Sequence, residues 1–172
     1  MLYLMILLRV IHIFAGAFWV GVSFFNIYFL QPTVRATGTE GSKVMQHLTR
    51  GTRFTSTVYT AATLNMLSGL IMYWIISGFD LAFLTSGYGL VLTIGAIAGL
   101  VAWLVAILVI RDVLNRMAGL GQQIQAQGEP PTPEQSAQLG ALGARLMSVG
   151  QANLVFMTIS LTGMSMAQYA GF

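Results

Sequence analysis

Cut at its charged residues, the chain falls into four long uncharged windows, residues 10–34, 54–79, 81–110 and 146–172. Each exceeds the roughly 20 apolar residues that cross a hydrocarbon core of about 30 Å. Lipid offers no partner to a free backbone N–H or C=O, and the windows lack the alternation of barrel strands, so each predicts a transmembrane helix. The expected fold class is all-α: an integral membrane bundle of four transmembrane helices at about 3–30, 54–77, 87–110 and 147–170, one membrane domain over residues 1–172. Arg9 interrupts the first apolar run, and Ser23 and Asn26 follow without a small-residue cleavage signature. That window therefore reads as a retained span rather than a signal peptide.

Composition closes off the soluble alternatives. Charged residues make up 8% of the chain and hydrophobic ones 56%, with a mean hydropathy of +0.75, against about 25% charged for soluble domains. Eight basic and five acidic residues are too few to clothe such a particle in water, so its surface must meet lipid or other apolar protein. The net charge is +3, but seven of the eight basic residues sit in two connections. That distribution suits a membrane surface and excludes a nucleic-acid partner. With no cysteine, thiol catalysis, iron–sulfur clusters and Cys-ligated zinc or haem are excluded as well.

Those two connections also predict orientation. Residues 31–53 carry Arg35, Lys43, Arg50 and Arg53, residues 111–146 carry Arg111, Arg116 and Arg145, and the connection around Asp80 carries no basic residue. Lys and Arg favour the cytoplasmic side, so both termini are expected outside. Tyr3, Tyr73, Trp74, Tyr88 and Tyr169 then fall at outer helix ends, where amphipathic rings favour the headgroup layer. Residues 111–127 keep helical character, and Thr132, Pro133 and Gln135 spell a helix start with N-cap, N1 proline and capping box. The third and fourth helices should extend as a cytoplasmic helical hairpin broken at Gly128–Pro131. A shorter helix is expected over about Gly41–Thr49, ending at Gly51.

Polar residues recur at three- and four-residue spacing. On helix one Arg9, His12, Gly16, Trp19, Ser23 and Asn26 form one stripe, expected to face protein. Thr57, Ala61, Asn65, Ser68 and Met72 repeat the pattern on helix two, and Asn153, Met157, Ser160, Met164 and Gln168 on helix four. Helix three offers Gly95 and Gly99 among alanines, which reads as close helix packing.

Arg9 and His12 carry the main functional signal, because ionisable groups within a span are costly and are usually paired or functional. They lie i and i+3, on one face. His12 sits about 7 Å outward from the middle of helix one, and Met164 is at about the same depth in helix four. An imidazole and a thioether at one level suit the axial positions of a b-type haem, or a soft Cu(I) site. No carboxylate lies within a span, so Arg9 is left to find Asp80, snorkel to headgroups, or meet an anion such as a haem propionate. The plainer alternatives stay open: His12 bonding a neighbouring helix, Met164 filling a gap, Trp19 packing, and His47 solvated in its connection. Of the chain's ten methionines, only Met164 and Met166 form a close pair in a span, and on a helix they point apart.

The stretch Arg9-Val-Ile-His12-Ile-Phe-Ala-Gly-Ala-Phe-Trp19-Val-Gly21 resembles the first helix of the CopD-like and HemJ-like four-helix bacterial membrane proteins. The likeness continues more loosely through Phe29-Leu30-Gln31-Pro32, Ser68-Gly69, the Gly-rich third helix, Arg145 and Met164-Ser-Met166. It implies a multi-pass bundle of the bacterial inner membrane that binds haem through His12. Taken with the depth of Met164 and the unpaired charge of Arg9, it makes His12, Arg9, Trp19 and Met164 the expected cofactor-binding positions, with His12 and Met164 as the metal ligands. The HemJ-like branch implies protoporphyrinogen-oxidase chemistry, with a Lys where this chain has Arg9. The CopD-like branch implies copper handling.

No paired carboxylates, catalytic triad, phosphate loop or HExxH motif supports other enzyme chemistry. The expectation is therefore a haem-binding or redox-associated membrane protein acting in electron transfer. Two alternatives stand beside it: a copper-handling permease, and a cofactor-free accessory subunit of a larger respiratory or photosynthetic complex. Expected partners are the lipid bilayer and either further copies of the chain or that larger complex.

Overall fold

The computed structural model describes residues 1–171, with the side chain of Thr39 left aside. It is 91% helical. Four helices are long and apolar enough to span a membrane: α1 (Leu2–Ala36), α3 (Phe54–Ser77), α5 (Gly87–Gln127) and α6 (Pro133–Tyr169). Two shorter helices join them, α2 (38–51) and α4 (Leu81–Thr85).

Three of the four spans run past the ends that their apolar windows suggest. At 1.5 Å per residue the 41-residue α5 is about 60 Å long, roughly twice a hydrocarbon core. Its last turns and the first turns of α6 pack together as a helical hairpin. The break falls where turn chemistry places it: Gly128 takes a left-handed conformation (φ 68°), and Thr132 caps α6. The Thr132 hydroxyl accepts from Gln135 N at 3.2 Å while Gln135 Oε1 accepts from Thr132 N at 2.9 Å, a complete capping box. Hydrogen bonds from its own backbone N–H and from the Thr132 hydroxyl hold the exposed Glu134 carboxyl below its ordinary pKa, so it meets the helix N-terminus as an anion.

Helix α1 differs from expectation in continuing through Pro32 to Ala36. Proline cannot donate to the carbonyl four residues back, and the turn just before it, Asn26–Leu30, widens to π geometry, which keeps the chain helical past the ring. Two further π segments occur, His47–Gly51 at the end of α2 and Val105–Ile110 in α5. The connection between α3 and α5 is tight. Gly78 and Phe79 both take positive φ (54° and 58°), Asp80 caps α4 by accepting from Ala82 N, and Ser86 caps α5. Phe79 holds a backbone conformation that L side chains avoid, and its ring lies in an aromatic cluster with Tyr73, Phe83 and Tyr88.

The spans associate as two close pairs, α1 with α3 and α5 with α6. In the second pair Gly95 and Gly163 face one another. A Cβ at Gly163 would lie 3.0 Å from Gly95 Cα, and one at Gly95 would lie 3.1 Å from Met164 N. The Gly95/Gly99 stripe thus serves backbone approach, as small residues do in membranes. The buried core lies toward the hairpin end, where Trp19, Ile27, Ala62, Ala102, Ala106, Leu154 and Met157 meet. Large apolar side chains such as Phe14, Trp74, Leu108 and Leu161 stay exposed, as lipid-facing positions do.

Candidate functional site

His12 comes to lie against α3 because that helix offers no side chain at Gly69. A Cβ there would stand 2.7 Å from the imidazole Cε1 and 3.0 Å from Nδ1. In this slot Nδ1 lies 2.8 Å from the main-chain oxygen of Asn65. A carbonyl only accepts, so Nδ1 carries the proton and Nε2 keeps its lone pair. Ser68 Oγ lies 3.4 Å from the same nitrogen, but its own proton goes to Leu64 O at 2.6 Å. One turn further along, Gly16 gives way to the Asn65 carboxamide, whose Oδ1 would be 2.6 Å from a Cβ at Gly16. Two glycines, one on each helix, thus let the polar groups of α1 and α3 interlock.

The four residues singled out in the sequence do not form one cluster. Arg9 is exposed. The ion pairs among the described residues are Lys43–Glu40 and Arg116–Asp112; Arg9 takes part in neither, and Asp80 is occupied in capping α4. The stripe on α1 therefore faces protein from His12 onward, while its outermost member projects away. The reason is rotational, since Leu8, one residue nearer the helix end, is buried, whereas Arg9 lies about 100° further round the helix and points away from its neighbours. Trp19, 4% exposed, packs in the core against small residues and Leu154. Met164 belongs to the other helix pair: Ser160 Oγ lies 4.0 Å from its Sδ, and its Cε is 4.0 Å from a Cβ position at Gly99. His47 is exposed in α2, as its place in a polar connection suggests. Among the described residues no group of three or more His, Cys, Asp or Glu converges as a metal site.

What the site can do chemically follows from one nitrogen. A half-buried neutral imidazole, its tautomer set by a main-chain carbonyl, is the arrangement in which protein histidines meet metals, since the carbonyl both orients the ring and raises the basicity of the free nitrogen. The carbonyl that orients His12 is main chain, so no side-chain motif announces it. The Gly69 slot is visible in the sequence only as a small residue next to Ser68. Compared with family models, with curated proteins and with solved structures, the chain matches none.

Proposed function

We propose that the chain is a multi-pass membrane protein that binds a b-type haem at the outward face of the α1–α3 pair, with His12 as axial ligand. The observation that supports this is the Nδ1–Asn65 carbonyl bond of 2.8 Å, which leaves Nε2 as the free donor of a positioned ring. Arg9, exposed and three residues before His12, would donate to a propionate. Met164 is seated by α5, so a second axial ligand from this chain requires the two helix pairs to approach at that level. Haem, when bound, supplies one-electron chemistry. His12 would hold its iron, and Arg9 would set the charge beside it.

The test is an absorption spectrum with metal analysis on the purified full-length protein. His12→Ala is expected to remove the haem or turn it high-spin, because no other His lies within a span. Arg9→Ala is expected to keep the ligation and lower the potential, since deleting a nearby cation favours the more positive oxidised form. A Soret band and low-spin bands that survive His12→Ala unchanged would defeat the proposal. Copper in place of iron in the metal analysis would favour the copper-handling reading.

A cofactor-free accessory subunit is the second reading. It is favoured by the same hydrogen bond seen the other way, since His12 already joins two helices without a ligand. It predicts a colourless protein that purifies with other membrane subunits.

The proposed setting is the bacterial inner membrane, with the connections at 31–53 and 111–146 inside and both termini outside. The chain has no native cysteine, so a single Gln127→Cys variant reports cleanly. It is expected to resist an impermeant maleimide applied from outside and to react after permeabilisation. Reaction from outside in intact cells would reverse the topology.

A further inference from the structure

We infer that the hairpin half of the bundle contains a binding chamber for a small neutral ring-sized molecule bearing a hydroxyl, a phenol-like group. The inference does not rest on the His12 reading, since the chamber begins at Trp19, two turns further along α1, and draws on all four spans.

The chamber is a half-open cavity of about 120 Å³. That is several times the space one water needs and close to the roughly 150 Å³ of a dry apolar cavity that takes up benzene. Its wall is mostly apolar and includes no charged side chain, so an ionic occupant would be desolvated without a counter-charge. The polar groups in the wall divide into two sets. Ser23 donates to Trp19 O at 2.8 Å, Thr49 to Met45 O at 2.8 Å and Thr55 to Thr49 O at 3.3 Å, while Gln31 Nε2 donates to Asn26 Oδ1 at 3.5 Å. These are satisfied internally. Asn153 Oδ1 and Tyr59 Oη are buried without a hydrogen-bond partner, and both residues line this cavity. Asn153 is 3% exposed.

An orphaned buried acceptor costs about 1–3 kcal/mol unless something donates to it. An occupant's hydroxyl can donate to Asn153 Oδ1, with Tyr59 Oη as a further polar group on the wall, while its ring packs on apolar wall residues such as Trp19 and Leu154. The guanidinium of Arg111 lies 5.9 Å over the Tyr59 ring and holds that phenol in place from outside the chamber. A second feature lies at the same spot, beside the turn that also carries α1 past Pro32. Each of the three π segments contributes to the wall, through Asn26 and Ile27, through Thr49, and through Ala106 and Ile110. Such widened turns recur at functional sites because they redirect side chains that a regular helix would stagger.

The experiment uses the full chain carrying Trp74→Phe and Trp103→Phe, so that Trp19 is the sole indole. 4-Bromophenol, whose heavy atom quenches a neighbouring indole, is titrated against bromobenzene. The expected result is saturable quenching of Trp19 by the phenol, with a midpoint raised about tenfold or more by Asn153→Leu and raised less by Tyr59→Phe. Bromobenzene should quench more weakly and be indifferent to both substitutions. Should Asn153→Leu fail to fold, Tyr59→Phe, which removes a single oxygen, still separates the outcomes. Linear quenching that is the same in all variants, or equal midpoints for the two probes, would overturn the inference and leave the chamber as a pocket of water.

Discussion

Gly163→Leu is expected to break the association of α5 with α6. The Cβ of any residue at this position would stand 3.0 Å from Gly95 Cα, 3.2 Å from Gly95 N and 3.2 Å from Val91 O. All three are main-chain atoms, so no rotamer change relieves the contact and the helices themselves must part. Separation strips the dispersion contacts that hold membrane helices together where no hydrophobic gain exists. Even Gly163→Ala should cost about 1–3 kcal/mol, the usual range for overpacking a close contact, and leucine should cost more, showing as separation of α5 from α6 at the end away from the hairpin. Reversible unfolding in mixed micelles, or steric trapping in bicelles, measures the difference. A change for Gly163→Ala within about 0.5 kcal/mol, the range of an indifferent surface substitution, would mean that the backbones are not in contact.

A second large effect is expected at Gly69, and it depends on His12. A methyl group at Gly69 would meet the imidazole, with Cε1 at 2.7 Å and Nδ1 at 3.0 Å. The ring would have to swing off the Asn65 carbonyl, giving up a hydrogen bond of the kind worth about 0.6 to 1.7 kcal/mol between membrane helices. Alanine is also the better helix former by about 1 kcal/mol, so the single variant mixes a gain with a loss. A double-mutant cycle separates them: Gly69→Ala should stabilise the His12→Ala chain by about 1 kcal/mol and gain less or lose stability in the wild-type chain, with a coupling of about 0.5–3 kcal/mol. Equal effects in the two backgrounds would show that the ring does not occupy the slot. Where haem is bound, Gly69→Ala should also lower its occupancy, because the free nitrogen loses its orientation along with the bond.

Much of the architecture could be read along the chain. The four long helices follow from uncharged runs long enough to cross a bilayer, a setting in which only a helix pairs every backbone group within one segment. The hairpin break at Gly128–Pro131 and the restart at Thr132 were legible because capping is a local affair: donor, acceptor and turn residue lie within four positions of one another. The Gly95/Gly99 stripe likewise predicts close packing. Continuation of α1 through Pro32 was not legible, since a π turn is a backbone adjustment to packing with no residue signature of its own.

The candidate sites needed the tertiary structure. Periodicity puts Arg9 and His12 near one face of α1 but does not fix how that face is turned toward the neighbouring helices, and in the structure Leu8 is buried while Arg9 projects. Matching depth makes His12 and Met164 look like partners. Depth is one coordinate, and the pairing of α1 with α3 and of α5 with α6 supplies the other two, giving each residue a different neighbour. The acceptor that fixes the His12 tautomer is a main-chain oxygen, a group every residue carries. Asn153 and Tyr59 sit in different spans and are ordinary residues in each. Only when four helices close around one cavity do their side-chain oxygens become the pair left without partners. Chain-local chemistry and the bilayer thus set which segments become helices and where they end, whereas helix rotation and pairing, which depend on contacts between residues far apart in sequence, decided what each polar side chain meets.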